Sequence, residues 1–235
     1  MSGRDLPGEQ AGEQAREQAG LARVVLRPMG SPLPLGFLGL ALATTAFAAI
    51  ELGWVPGAQA RVVALAALLF TAPLQFLVCV LGFLARDSVA GAAMGVLAGT
   101  WAVIGGVTLT SAPGTTSAAL GVVLLTAAAA MLVPAIAGLP KPVAAAVMGM
   151  SAARFAITGV YELTASAEWR TTAGVAGLVL AVVAYYAALA FELEDAHGRA
   201  LLPVARLGRA RTAVRGDLRD QTKGLAREAG VREQL

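Results

Sequence analysis

Six apolar segments, each long enough to cross a bilayer, organise this chain. They fall at about 34–55, 62–85, 89–110, 117–139, 142–164 and 172–194. A helix needs roughly 20 apolar residues to traverse about 30 Å of hydrocarbon. The breaks between segments are short and carry turn chemistry. They are Pro56-Gly57, Arg86-Asp87-Ser88, Ser111-Ala112-Pro113-Gly114, Pro140-Lys141-Pro142 and the stretch from Glu168 to Thr172. Strands are not expected. Ten-residue alternation is lacking, and a Leu/Ala-rich helix satisfies its own backbone polar groups in lipid. Only 14% of residues are charged, against about 25% in a soluble domain. The predicted fold is therefore an all-α membrane protein of six transmembrane helices.

The charges that remain gather at the ends. Residues 1–30 form a polar N-terminal tail with the repeat Glu-Gln-Ala at 9–11, 13–15 and 17–19, and without the apolar core of a signal peptide. The transmembrane domain is expected over 31–195, and 196–235 reads as a basic tail. Six spans place both termini on one side. That side carries Arg4, Arg16, Arg23, Arg27, Arg86, Lys141 and nine cations from Arg199 to Arg232; the other carries Arg61 and Arg170. The positive-inside rule then makes both termini cytoplasmic and puts Trp54 and Trp169 at the outer interface. The basic tail suits a surface near anionic headgroups. It has no interleaved aromatics, so nucleic acid is not an expected partner.

Polar residues within the spans are the candidates for function. Arg154 lies midway along the fifth segment, where a charge costs at least about 2.5–3.5 kcal/mol and must face protein, water or a partner. It reads either as a site for a small anion or as half of a structural pair. The nearest acid on its own helix, Glu162, is roughly 12 Å away by helical rise. A counter-charge must therefore come from another helix or subunit. Glu51 and Glu162 sit near outer helix ends, as interfacial carboxylates or possible proton carriers. Gln75 should face the bundle interior, because an unpaired amide in lipid is costly. Gly91, Gly95 and Gly99 form a small-residue stripe for close helix approach. The lone Cys79 and lone His197 make neither a disulfide nor a metal cluster. No phosphate loop and no nucleophile–base pair occur. Neither an enzyme nor a cofactor or metal site is expected.

Three stretches resemble the YaaH-type acetate uptake transporters. Ser31-Pro32-Leu33-Pro34-Leu35-Gly36-Phe37, followed by Thr44-Thr45, resembles that family's Asn-Pro-Ala-Pro-Leu-Gly-Leu signature. Gln75 and Trp101 match in register across the second and third segments. Tyr185-Tyr186-Ala187 and the run from His197 to Pro203 look like its closing motifs. The matches span about residues 31–204. The resemblance implies six helices with cytoplasmic termini, proton-linked uptake (symport) of acetate or related monocarboxylates, and a homo-oligomer of six subunits in a bacterial plasma (inner) membrane. Pro32, Pro34 and Gly36 would then shape the cytoplasmic mouth. Departures are clear. Ser31 replaces the signature asparagine, and the family's pore-lining Phe, Tyr and Leu fall near Leu40, Leu97 and Ala152. An expected glutamate falls at Gly82, and Arg154 has no counterpart. The alternatives are a membrane scaffold or regulator that moves nothing, or a transporter of another small solute such as ammonia or succinate.

Overall fold

The computed structural model describes residues 30–207, and the N- and C-terminal tails read from the sequence lie largely outside them. Six helices long and apolar enough to cross a membrane make up this region. They are α1 (Leu33–Glu51), α2 (Gly57–Leu84), α3 (Ser88–Thr110), α4 (Ala118–Ala137), α5 (Pro142–Thr164) and α6 (Ala167–His197). Four match the expected segments within four residues, and α2 begins five residues before its expected start. At the sixth, Ser166 caps the helix by accepting from the Trp169 amide, so α6 starts earlier than hydropathy suggests. Glu168 and Arg170, which lowered the local hydropathy, are simply its first turn. Helix α2 is not uniform. It begins with a 3-10 turn at Gly57–Gln59 and widens into one π turn at Ala67–Thr71.

The helices pack as a closed ring in chain order, with α6 returning to α1. Three joints are the tightest, α1 with α6, α2 with α3 and α4 with α5, and each is seated on glycine. A side chain at Gly82 would put its Cβ 2.8 Å from the Gly91 amide nitrogen. One at Gly121 would meet the Gly159 carbonyl at 2.9 Å, and one at Gly177 would lie 3.1 Å from the Ala48 Cβ and 3.3 Å from the Thr44 carbonyl. Without a side chain, backbones approach closely enough to gain dispersion contact, which drives association where lipid supplies no hydrophobic effect. In the expected stripe, Gly91 and Gly95 do face α2, against Phe83 and Cys79, whereas Gly99 meets nothing within 4 Å.

The outer wall of the ring is apolar and exposed. Leu69 is 75% exposed and Val62 69%, with Phe76, Phe83 and Leu84 in the same helix also open. That is a surface made for acyl chains rather than water. Both ends of the described chain lie at one end of the bundle, where the Ser31 amide donates to Asp195 at 3.3 Å. Polar links lace that end. Lys141 pairs with Asp87, joining the α4–α5 and α2–α3 turns. Residues 199–207, read from sequence as the start of a tail, fold back instead. Pro203 accepts from the Tyr186 hydroxyl at 2.8 Å, Val204 is buried, and the Leu207 amide donates to Pro140 at 2.9 Å. Arg206 grips Glu194 through its Nε (3.0 and 3.1 Å) and Nη2, and covers the Phe191 ring at 5.5 Å.

Candidate functional site

Side chains from the ring fill its interior. Leu40 on α1 and Leu97 on α3 are wholly buried, and Ala152 on α5 nearly so, all within one apolar cluster. Trp101 sits between Phe47 (5.6 Å between ring centroids) and Phe155 (6.1 Å). Phe37 leans on Phe191 at 6.0 Å, beneath the Arg206 guanidinium.

The start of α1 is held by α2. The Gln75 Nε2 donates to the Gly36 carbonyl at 3.3 Å, and one turn earlier the Thr71 hydroxyl donates to the Gly39 carbonyl at 3.1 Å. Thr71 ends the π turn, so the extra backbone residue sits at the point where α2 engages α1. Pro34 lies in the first turn of α1, where a missing amide hydrogen costs nothing. Gly36 abuts Met94, whose sulfur would be 2.5 Å from a Cβ there. Ser31 and Pro32 lead into this turn. The fully buried Gln75 keeps its Oε1 without a partner among the described residues, as does the Trp101 indole nitrogen.

The charged centre lies toward the opposite end. The Arg154 side chain, 3% exposed, pairs with Glu51 of α1, its Nη2 donating at 2.8 and 2.6 Å to the two carboxylate oxygens. Its Nη1 donates to the Thr158 hydroxyl one turn on, which in turn donates to the Arg154 carbonyl. Among the described residues the Arg154 Nε has no hydrogen-bond partner, and a Cβ at Gly177 would lie 3.0 Å from it. The counter-charge that α5 lacks is therefore supplied by α1, across the seam that α6 closes. Above the pair, the Arg170 Nη2 donates to the Ile50 carbonyl at 2.7 Å. Arg170 also lines a depression of about 470 Å³, together with Thr115, Thr116, Tyr161 and Ala165.

Glu162 is placed differently. Its carboxylate accepts from the Ser117 amide at 2.7 Å, at the N-terminus of α4. Sequence reasoning found Arg154, because a mid-span charge is conspicuous, but not its union with Glu51, 103 positions away. Nothing in the sequence pointed to the Arg206–Glu194 pair. Among the described residues no cluster of three metal-binding side chains occurs.

Neither a protein-family profile nor any curated protein sequence matches this chain. A solved structure does. At 21% identity it superposes with a TM-score of 0.68, covering 75% of this chain and 99% of the other. The fold is that of a bacterial acetate channel. That channel, SatP, is matched over nearly its whole length by a chain sharing one residue in five with it. The acetate-channel fold thus accounts for the six-helix ring.

Proposed function

We propose that this protein moves small monocarboxylates such as acetate across a bacterial plasma membrane, as proton-coupled uptake. The observation that carries the reading is the acetate-channel fold of the ring, with the Pro32–Pro34–Gly36 turn joined to Gln75 at one end of a buried apolar interior. In this reading Leu40, Leu97 and Ala152 form an apolar constriction that strips water from the solute. Arg154 offsets part of an anion's desolvation cost. Glu51 or Glu162 carries the proton. Both termini are cytoplasmic, so Ser31, Pro32, Pro34 and Gly36 form the inner mouth and the Arg170 depression the outer one. A homo-oligomer, six subunits by resemblance, completes the assembly.

The test is uptake of radiolabelled acetate into proteoliposomes, corrected for empty vesicles, with and without an inward proton gradient. Gradient-stimulated uptake is expected. Uptake blind to the gradient would make the protein a passive channel. No uptake above empty vesicles would favour the second reading, a membrane scaffold or regulator. Two features support that reading: Leu97 replaces the pore tyrosine, and a side chain at Gly82 would press on the Gly91 backbone of α3. Competition by succinate and ammonium would identify a different cargo.

A further inference from the structure

Arg154 and Glu51 form a neutral unit in a place that tolerates little net charge. Their side chains are 3% and 9% exposed. Both Glu51 oxygens rest on a single guanidinium nitrogen, and the Nε has no hydrogen-bond partner among the described residues. The guanidinium thus has more donors than this carboxylate and the Thr158 hydroxyl consume. Other ionisable groups act on Glu51 from α5 and α6. They are Tyr161 and Glu162, two turns beyond Arg154 on α5, and Arg170 on α6. Arg170 reaches from the surface depression to the carbonyl of Ile50, the residue before Glu51. Arg170 therefore stands both in the wall of the depression and against the backbone next to Glu51.

A second carboxylate arriving here meets a simple constraint. The guanidinium carries one positive charge, and two carboxylates on it would leave a buried net negative charge, which costs several kcal/mol. The balance is kept if one of the two is protonated. We propose that the Glu51–Arg154 pair, reached from the Arg170 depression, is an exchange site for a short carboxylate. The ligand's carboxylate takes Glu51's place on the Arg154 guanidinium, and Glu51 swings off as the neutral acid. One proton and one carboxylate are taken up and no net charge enters. A ligand arriving as the undissociated acid gives the same balance by passing its proton to Glu51. Glu51 then acts as a tethered stand-in for the ligand, holding the guanidinium when no ligand is present. Charge-assisted, two-oxygen hydrogen bonding makes a planar carboxylate the ligand class.

This proposal rests on the carboxylate-transport reading, and the experiment separates the two. Acetate is titrated calorimetrically into the full-length protein in detergent, at neutral pH, in buffers of different ionisation heat. The dependence of the observed heat on buffer gives the protons taken up per acetate bound. Acetate flux into proteoliposomes is measured on the same samples. Wild type is expected to take up about one proton per acetate, as is Glu51→Asp, and Glu51→Gln is expected to bind acetate with no proton uptake. Should Glu51→Gln fail to fold, the neutral pair Glu51→Gln/Arg154→Gln restores charge balance and is expected to lose proton-linked acetate binding. Flux in wild type, with proton uptake absent there or persisting in Glu51→Gln or the double variant, overturns the exchange and leaves the transport reading standing. Neither binding nor flux in wild type overturns both.

Discussion

At the scale of single residues, Arg154 and Glu51 can be separated by substitution, and the two ways of breaking the pair differ. Arg154→Ala leaves a buried carboxylate without a counter-charge, which costs about 3–5 kcal/mol. In the proposed mechanism it also removes the anion's partner. Acetate flux per inserted molecule should fall at least tenfold, while the amount inserted, read by surface labelling, falls far less. Equal flux per inserted molecule would exclude Arg154 from the pathway. Gly82 makes a second residue-scale case. Its contact with the Gly91 backbone leaves no room for a Cβ, so Gly82→Ala should destabilise by about 1–3 kcal/mol, visible as a lower thermal midpoint in detergent. Restoring the glutamate that the family resemblance places there should be worse still. An unchanged midpoint for Gly82→Ala would mean that α2 and α3 can part at no cost. Arg154 was legible in the sequence because a charge in mid-membrane has few explanations. Its partner was not, because spacing along a chain says nothing about which helices become neighbours across a ring.

Among the elements, the six spans were legible for the reason that makes them helices: lipid offers no partner to a bare peptide group. Their ends were less so. Hydropathy lost the start of α6, since Glu168, Arg170 and two threonines look like a loop. The actual boundary is set by Ser166 and by Ala165, which ends α5 in the left-handed region at φ 53°. A non-glycine residue there costs roughly 1–2 kcal/mol. Ala165→Gly should therefore raise the thermal midpoint slightly, unless greater freedom of the unfolded chain offsets the gain; a fall of several degrees would show that the alanine methyl holds a contact. The return segment after α6 was also illegible, since its first residues read as the start of a basic tail. Its anchor is Arg206 on buried Glu194. Arg206→Ala strands that carboxylate and should make the 199–207 segment accessible to protease in inside-out vesicles, where the wild-type segment resists cleavage.

For the whole molecule, orientation is the open physical question with a direct answer. In a Cys79→Ala background, Ala112→Cys at the α3–α4 turn should react with an impermeant maleimide on intact cells. Arg199→Cys, at the other end of the bundle, should react only after permeabilisation. The reverse pattern would overturn the charge argument for cytoplasmic termini. The closed ring also has a consequence for how the molecule is made. Helices α2 and α3, like α4 and α5, are neighbours in the chain and can mate as soon as both have left the ribosome. Helix α1 meets α2 early, but its tightest joint is with α6, the last to emerge. Glu51 is synthesised 103 residues before Arg154. At about 5–20 residues per second, it waits on the order of 5–20 s for its counter-charge. During that interval the nascent chain is an open crescent, with one acidic group near a bilayer surface and the α6-facing flank of α1 uncovered. The final helix is therefore the clasp of the structure. A ribosome that stalls before α6 would release a chain whose first helix lacks its tightest joint, a natural mark for membrane quality control.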